Sequence, residues 1–250
     1  ITRFLIARDY NLKNSTKMLQ EHLVWASTSI AGGDETPLNI VQKVVDTEEE
    51  LANWKKYFPY SVCGHDKEGC PIYWEETGNI TINFHEGKKI FDQDDLVRRH
   101  ILMQEYQVQV RLPHACEYFG KNVTQEIVVA NLKGMLVMPD MVAVNAFIRF
   151  VQTDQANYPE RLKSFFLINA PWYFTGIWAL VTPLINEKTA NKFHILGSDY
   201  MEELTKLIDI SQIPKEWGGE RENFPWNSDF KLDTECLEAA KGKGNATTAK

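Results

Sequence analysis

Apolar residues along this chain change their spacing several times, and each change marks an element. Over Leu12–Thr28 they recur at Leu12, Leu19, Leu23 and Ala26, the spacing of a helix with one covered face. Asn11 just before it is a good N-cap, and Asp9-Tyr10-Asn11 predicts a kink after a shorter helix at Thr2–Arg8. Ser27–Pro37, with Gly32-Gly33, loses the period and reads as a linker, making the helical N-terminus a separate small unit. Glu48–Tyr57 is again amphipathic. Strand-like and helix-like stretches then alternate. Strands are predicted at Pro71–Glu75, Glu126–Leu132, Ser164–Ile168 and Phe193–Leu196. Helices are predicted at Asp92–Leu112, with Leu96, Met103, Tyr106 and Val110 on one face, and at Pro139–Asn157, with Val144, Phe147, Ile148 and Val151 aligned. NEKTANK is a turn or short helix, and Asp199–Ile208 a further helix. Such alternation predicts an α/β fold, a largely parallel sheet with helices packed on it.

One stretch breaks the amphipathic rule. SFFLINAPWYFTGIWALVTPLIN, residues 164–186, carries no charged side chain. It is long enough to span a bilayer, which needs about 20 apolar residues. Asn169-Ala170-Pro171 and Thr182-Pro183 interrupt it, however, and proline removes a backbone donor and biases its predecessor away from helix. The run therefore divides into a buried strand, a turn and a helix of about two turns ending near Pro183. On that helix Ile177, Trp178, Leu180, Val181, Leu184 and Ile185 surround the axis instead of lining one stripe. Such a helix needs cover on all sides, and water alone does not supply it.

Composition narrows the function. The 250 residues are 44% apolar and 24% charged, ordinary for a globular protein with a substantial core. A net charge of −7 argues against nucleic acid and against general adhesion to anionic membranes. The 4 cysteines, Cys63, Cys70, Cys116 and Cys236, match no zinc spacing. Cys63 and Cys70 flank a loop and could pair across it, but free thiols in a reducing compartment are the preferred reading. Asn-x-Ser/Thr triplets at Asn14, Asn79, Asn122 and Asn245 lack a signal peptide to give them meaning. The chain opens on Ile1 within a helical pattern, so it is expected to be a fragment truncated at its start. KGKGNATTAK at the end is low-complexity tail. Catalytic motifs are absent: no G-x-S-x-G elbow, no phosphate loop, no paired histidines. His100 and His114 lie on or beside an amphipathic helix, and Glu75-Glu76 and Asp94-Asp95 point to different faces. The expectation is a protein that is not an enzyme.

Several linked motifs resemble one family. RFLIARDYNLKNSTKMLQEHLVW is similar to the N-terminal helical signature of CRAL-TRIO lipid-binding proteins, and GHDKEGCPIYWEETG to their turn and following strand. NYPERLKSFFLINAPWYFTGIWALVTPLINEKT, then ILGS and IPKEWGGE, match the most diagnostic part in order and spacing, so the resemblance covers Ile1 to about Glu220. It implies a helical part over 1–58, a lipid-binding domain over 59–220 and a polar tail over 221–250. It implies a hydrophobic cavity floored by the sheet, with Tyr73, Leu136, Met138, Phe166 and Ile168 in its walls. A gate helix at Thr175–Ile185 would carry Ile177, Trp178, Val181 and Leu184. In phosphatidylinositol-binding relatives an arginine, a threonine and a lysine hold the headgroup, and these correspond here to Arg8, Thr189 and Lys192. Without the family context the three read equally as surface residues of a helical turn. Asp9 departs from the pattern, since those relatives often have lysine there. Hydroxyls that serve choline lipids are replaced by Val62, Leu136 and Met138, with Tyr73 alone retained. Met135–Met138 is equally well plain core. The resemblance thus implies a cytoplasmic, monomeric carrier of phosphatidylinositol that touches membranes transiently and needs no cofactor. Its second ligand would be a hydrophobe other than phosphatidylcholine, and the rivals are a carrier of one small hydrophobe or a lipid-presenting regulatory module.

Overall fold

The computed structural model describes residues 1–135, 141–222 and 226, with backbone alone at 80–83. Two helices open the chain, α1 (Thr2–Ile6) and α2 (Leu12–Ala26). Between them Asp9 and Tyr10 adopt left-handed backbone, φ 50° and 59°. Asn11 then caps α2, its side-chain oxygen accepting the Asn14 N–H at 3.0 Å, as a helix start with orphan donors requires. An aromatic chain of Phe4, His22, Trp25 and Tyr158 carries this hairpin onto the body of the molecule. The segment read as a linker buries Ile30, which joins Ile40 of the short helix α3 (Ile40–Lys43) against Ile101 and Leu102. Next comes α4 (Glu48–Tyr57), started by a capping box: the Thr47 hydroxyl accepts the Glu50 N–H, and the Glu50 carboxylate accepts the Thr47 N–H at 2.7 Å.

Among the described residues five strands follow: β1 (Tyr60–Ser61), β2 (Ile72–Glu75), β3 (Glu126–Asn131), β4 (Leu162–Ile168) and β5 (Phe193–Ile195). They lie in sequence order, with β1 antiparallel to β2 and every other pair parallel, so the predicted mostly parallel sheet is what forms. The β2–β3 crossover holds α5 (Thr77–Gly87), α6 (Gln93–Tyr106), a π-helical turn (Gln107–Arg111) and α7 (Leu112–Phe119). The sequence reading missed α5, whose Gly, Thr and Ile content has weak helix propensity. Its Gly78 approaches the sheet closely: a Cβ there would lie 1.9 Å from the Lys133 carbonyl oxygen. The sequence also ended the long helix before Pro113. The chain instead continues, because the widened π turn restarts the ladder and Pro113 falls in the first turn of α7, where an N–H has no partner to lose. β3 leads to α8 (Met141–Asn157), and β4 to α9 (Phe174–Val181), a 3₁₀ turn (Thr182–Leu184) and α10 (Glu187–Ala190). After β5, α11 (Met201–Leu207) covers the sheet.

The two sheet faces differ. Ile72, Trp74, Ile127, Val129, Phe166 and Ile168 point to one side and pack on Leu204, Ile208, Ile213 and Trp217. This corrects the assignment of Phe166 and Ile168 to the cavity wall. Side chains along a strand alternate, and the phase of β4 turns those two away from the cavity and their neighbours Phe165 and Leu167 toward it.

Candidate functional site

Between the sheet and α8, α9 and the N-terminal helices lies a cavity of about 780 Å³, within the size range of small-ligand sites. Its middle is apolar. β3 and β4 contribute Val128, Phe165 and Leu167, α8 contributes Val144, Phe147 and Val151, and α9 closes the wall with Ile177, Trp178 and Val181. α9 is two-sided. Phe174, Ile177 and Val181 are buried inward, Trp178 rests on Phe193 at 4.8 Å, and Leu180 is 56% exposed. The prolines act as their spacing suggests: α9 ends at Val181 and Pro183 lies in the 3₁₀ turn. Leu184, expected on the gate helix, lies instead in the 3₁₀ turn after α9, is 39% exposed and does not line the cavity. Trp172, in the turn before α9, is 89% exposed.

The mouth is charged. Arg8, Thr189 and Lys192 all line it, although they come from opposite ends of the chain. Arg8 donates to its neighbour's carbonyl, Ala7 O, at 3.0 Å, and Lys192 Nζ lies 3.7 Å from the Glu160 carboxylate. Thr189 belongs to α10, whose cap Asn186 accepts the Thr189 N–H at 2.9 Å. Two mouth residues escaped sequence reasoning. Lys188 pairs with Asp9, so the acid at the family's lysine position has its own cation. Glu160 holds φ 60°, a left-handed conformation that non-glycine residues adopt only where surroundings enforce it. No local spacing signals either feature.

A second polar region lies deeper. Tyr73 lines the cavity, but its hydroxyl donates to Glu75 Oε2 at 3.2 Å, and Thr77 donates to the other Glu75 oxygen at 2.6 Å. Val62 packs on Tyr60, Tyr73 and Tyr106 instead of lining the cavity, while Leu136 and Met138 lie outside the described residues. On α6, His100 Nε2 is 2.7 Å from Asp154 Oδ1, and Gln104 Nε2 donates to Asp154 Oδ2 at 3.2 Å. Glu126 faces the same space. Burial, and then the nearby Asp154, push its carboxyl up to about 7, against the pull of Arg111, Arg161 and His100. Among the described residues no three His, Cys, Asp or Glu side chains are placed to hold a metal, and no helix is long and apolar enough to cross a membrane.

The cavity is thus apolar in its middle and lined by charged and polar side chains at its mouth and in its depth. Comparison with known proteins agrees. Residues 55–219 match the CRAL/TRIO domain, and the chain belongs to that family. It is 32% identical over 223 residues to the SEC14 cytosolic factor of Candida glabrata, covering 89% of this chain and 70% of that protein. It is 30% identical to the phosphatidylinositol/phosphatidylcholine transfer protein SFH12 of Arabidopsis thaliana, spanning 87% of this chain but only 38% of the longer plant protein. The crystal structure of Sfh5 superposes with a TM-score of 0.70 at 20% identity, covering 98% of this chain and 80% of that one, which shows the shared fold.

Proposed function

We propose that this chain is a lipid carrier without catalytic activity that takes phosphatidylinositol, acyl chains in the cavity and headgroup at the mouth. The observation that supports the reading is that Arg8, Thr189 and Lys192 line one cavity whose middle is apolar. Arginine and lysine offer charge-assisted bonds to a phosphate, and the threonine hydroxyl a neutral one. The plant relative's name, phosphatidylinositol/phosphatidylcholine transfer protein, supports phospholipid transfer in general. Phosphatidylcholine is the poorer cargo, because the Tyr73 hydroxyl is already committed to Glu75 and Val62 offers none. A second hydrophobe shares the cavity in its place.

Magnitudes explain the outer surface. A diacyl lipid exposes roughly 30 methylenes at about 0.8 kcal/mol each, so about 24 kcal/mol opposes release into water. Exchange must therefore occur against a bilayer, and the exposed apolar residues Trp172, Leu180 and Leu184 around α9 are the surface for that contact. The protein acts as a cytoplasmic monomer that visits membranes, with 1–58 supporting the lipid-binding part at 59–220. Mass spectrometry of lipid extracted from the purified chain, with vesicle transfer by Arg8→Ala, Thr189→Asp and Lys192→Ala, tests the reading. Each variant should lose about tenfold or more in phosphatidylinositol affinity. Normal transfer by all three, or an extract without phosphatidylinositol, ends it.

A further inference from the structure

The interior of the cavity carries polar groups that the mouth does not explain. His100, Gln104 and Gln107 follow each other at i, i+4 and i+7, so they form one stripe, and all three line the cavity. Gln107 is 2% exposed, and neither its amide nitrogen nor its amide oxygen has a hydrogen-bond partner among the described residues. Gln104, 8% exposed, spends its nitrogen on Asp154, and its oxygen has no partner among the described residues. Buried polar groups are nearly always paired, and an unpaired one is costly. The π turn is where this happens: it begins at Gln107, and π turns often mark functional sites.

We propose that Gln107 and Gln104 form an internal subsite for the hydroxyl of a neutral, single-headed lipid alcohol, held wholly inside the cavity. This rests on reading the cavity as a lipid chamber. A hydroxyl both donates and accepts, so it satisfies an amide oxygen and an amide N–H together. An anionic head is disfavoured there, because Asp154 and Glu126 line the same region. The subsite gives the chamber two alternative polar anchors, the mouth for a phosphate and the stripe for an alcohol.

The test measures binding of oleyl alcohol and oleyl methyl ether to the full chain, with phosphatidylinositol as a parallel ligand. The ether accepts a hydrogen bond but cannot donate one, leaving a glutamine oxygen unpaired. Wild type should prefer the alcohol by about tenfold. Gln107→Met, matched in volume, should erase that preference and leave phosphatidylinositol binding unchanged, and Gln104→Met should reduce it. Loss of an unpartnered amide should leave the unfolding midpoint of Gln107→Met unchanged or higher. Equal binding of alcohol and ether by wild type, with phosphatidylinositol still bound, overturns the subsite alone, as does a preference that survives Gln107→Met. Failure to bind any of the three overturns the lipid-chamber reading with it. A lower unfolding midpoint for Gln107→Met would show that the amide is paired structurally and would also overturn the subsite.

Discussion

Phe165 and Phe166 are neighbours on β4 with opposite fates. Phe166 is 1% exposed, stacks on His194 at 4.7 Å and belongs to the sealed layer beneath α11. Phe165 stacks on Phe193 at 4.8 Å but faces the cavity. One sheet thus carries a filled side and a hollow side built from similar residues. The filled side follows ordinary core packing, in which each side chain is covered by partners. The hollow side spends its apolar surface on walls that hold open a volume, so its residues serve cargo more than folding.

The largest effect should come from that pair. Phe166→Ala leaves a hole in a sealed core and should cost about 3–5 kcal/mol, read from urea denaturation. Phe165→Ala enlarges an existing cavity, so it should cost less than half as much and show itself as faster loss of bound lipid. Equal destabilisation by the two would mean that the hollow side is ordinary core.

The same contrast of inside and outside holds on α9. Leu180→Asp places a charge on the exposed flank, where entry into hydrocarbon is opposed by about 3 kcal/mol. Vesicle exchange should slow while bound lipid is retained. Trp178→Asp strikes the cavity wall against Phe193, so it should impair retention as well. Identical behaviour of the two variants would remove the distinction between the faces.

Acid and base sharpen it further, because the hollow side houses the buried carboxyl of Glu126. Glu126 is held near 7 in the folded chain, above its ordinary value of 4.5, chiefly by burial. Below the ordinary value both states are protonated and there is no penalty. As pH rises toward 7 the unfolded chain ionises first, so this contribution to stability falls and is lost above the folded value. Glu126→Gln should therefore match wild type near pH 4.5 and exceed it in unfolding midpoint at pH 8. A variant less stable than wild type at pH 8 would show that Arg111 and Arg161 outweigh burial.

The smallest effect belongs to the rim. The Asp9–Lys188 pair is solvent-exposed on both sides, so Asp9→Ala should leave the unfolding midpoint unchanged. Asp9→Lys would set two cations together beside Arg8, which favours an anionic headgroup, and phosphatidylinositol transfer should be unharmed or improved. A clear loss of transfer in Asp9→Lys would place Asp9 in a structural role at the mouth.

Much of this was written locally. Asn11 and the Thr47–Glu50 capping box start helices through side chains within three residues of the helix start, so sequence alone marks them. Prolines at 171 and 183 bound the charge-free helix, and the alternation of strand and helix patterns dictates a parallel sheet. The phase of β4 was not legible, because both of its faces are apolar and an all-apolar strand carries no sign of which side is hollow. Residue spacing alone did not bring Arg8 to Thr189 and Lys192, which only the family resemblance grouped, nor did it pair Asp9 with Lys188. Those meetings depend on how the aromatic chain from Phe4 to Tyr158 docks the N-terminal helices, a packing event between residues far apart in the chain. Gln107 stands between the two cases. Its place on the stripe follows from helical spacing, but its lack of a partner is known only once the sheet, α8 and α9 have closed around the cavity. Local order follows from short-range sterics and hydrogen bonds, whereas the shape of an empty interior is settled only when all its walls are in place.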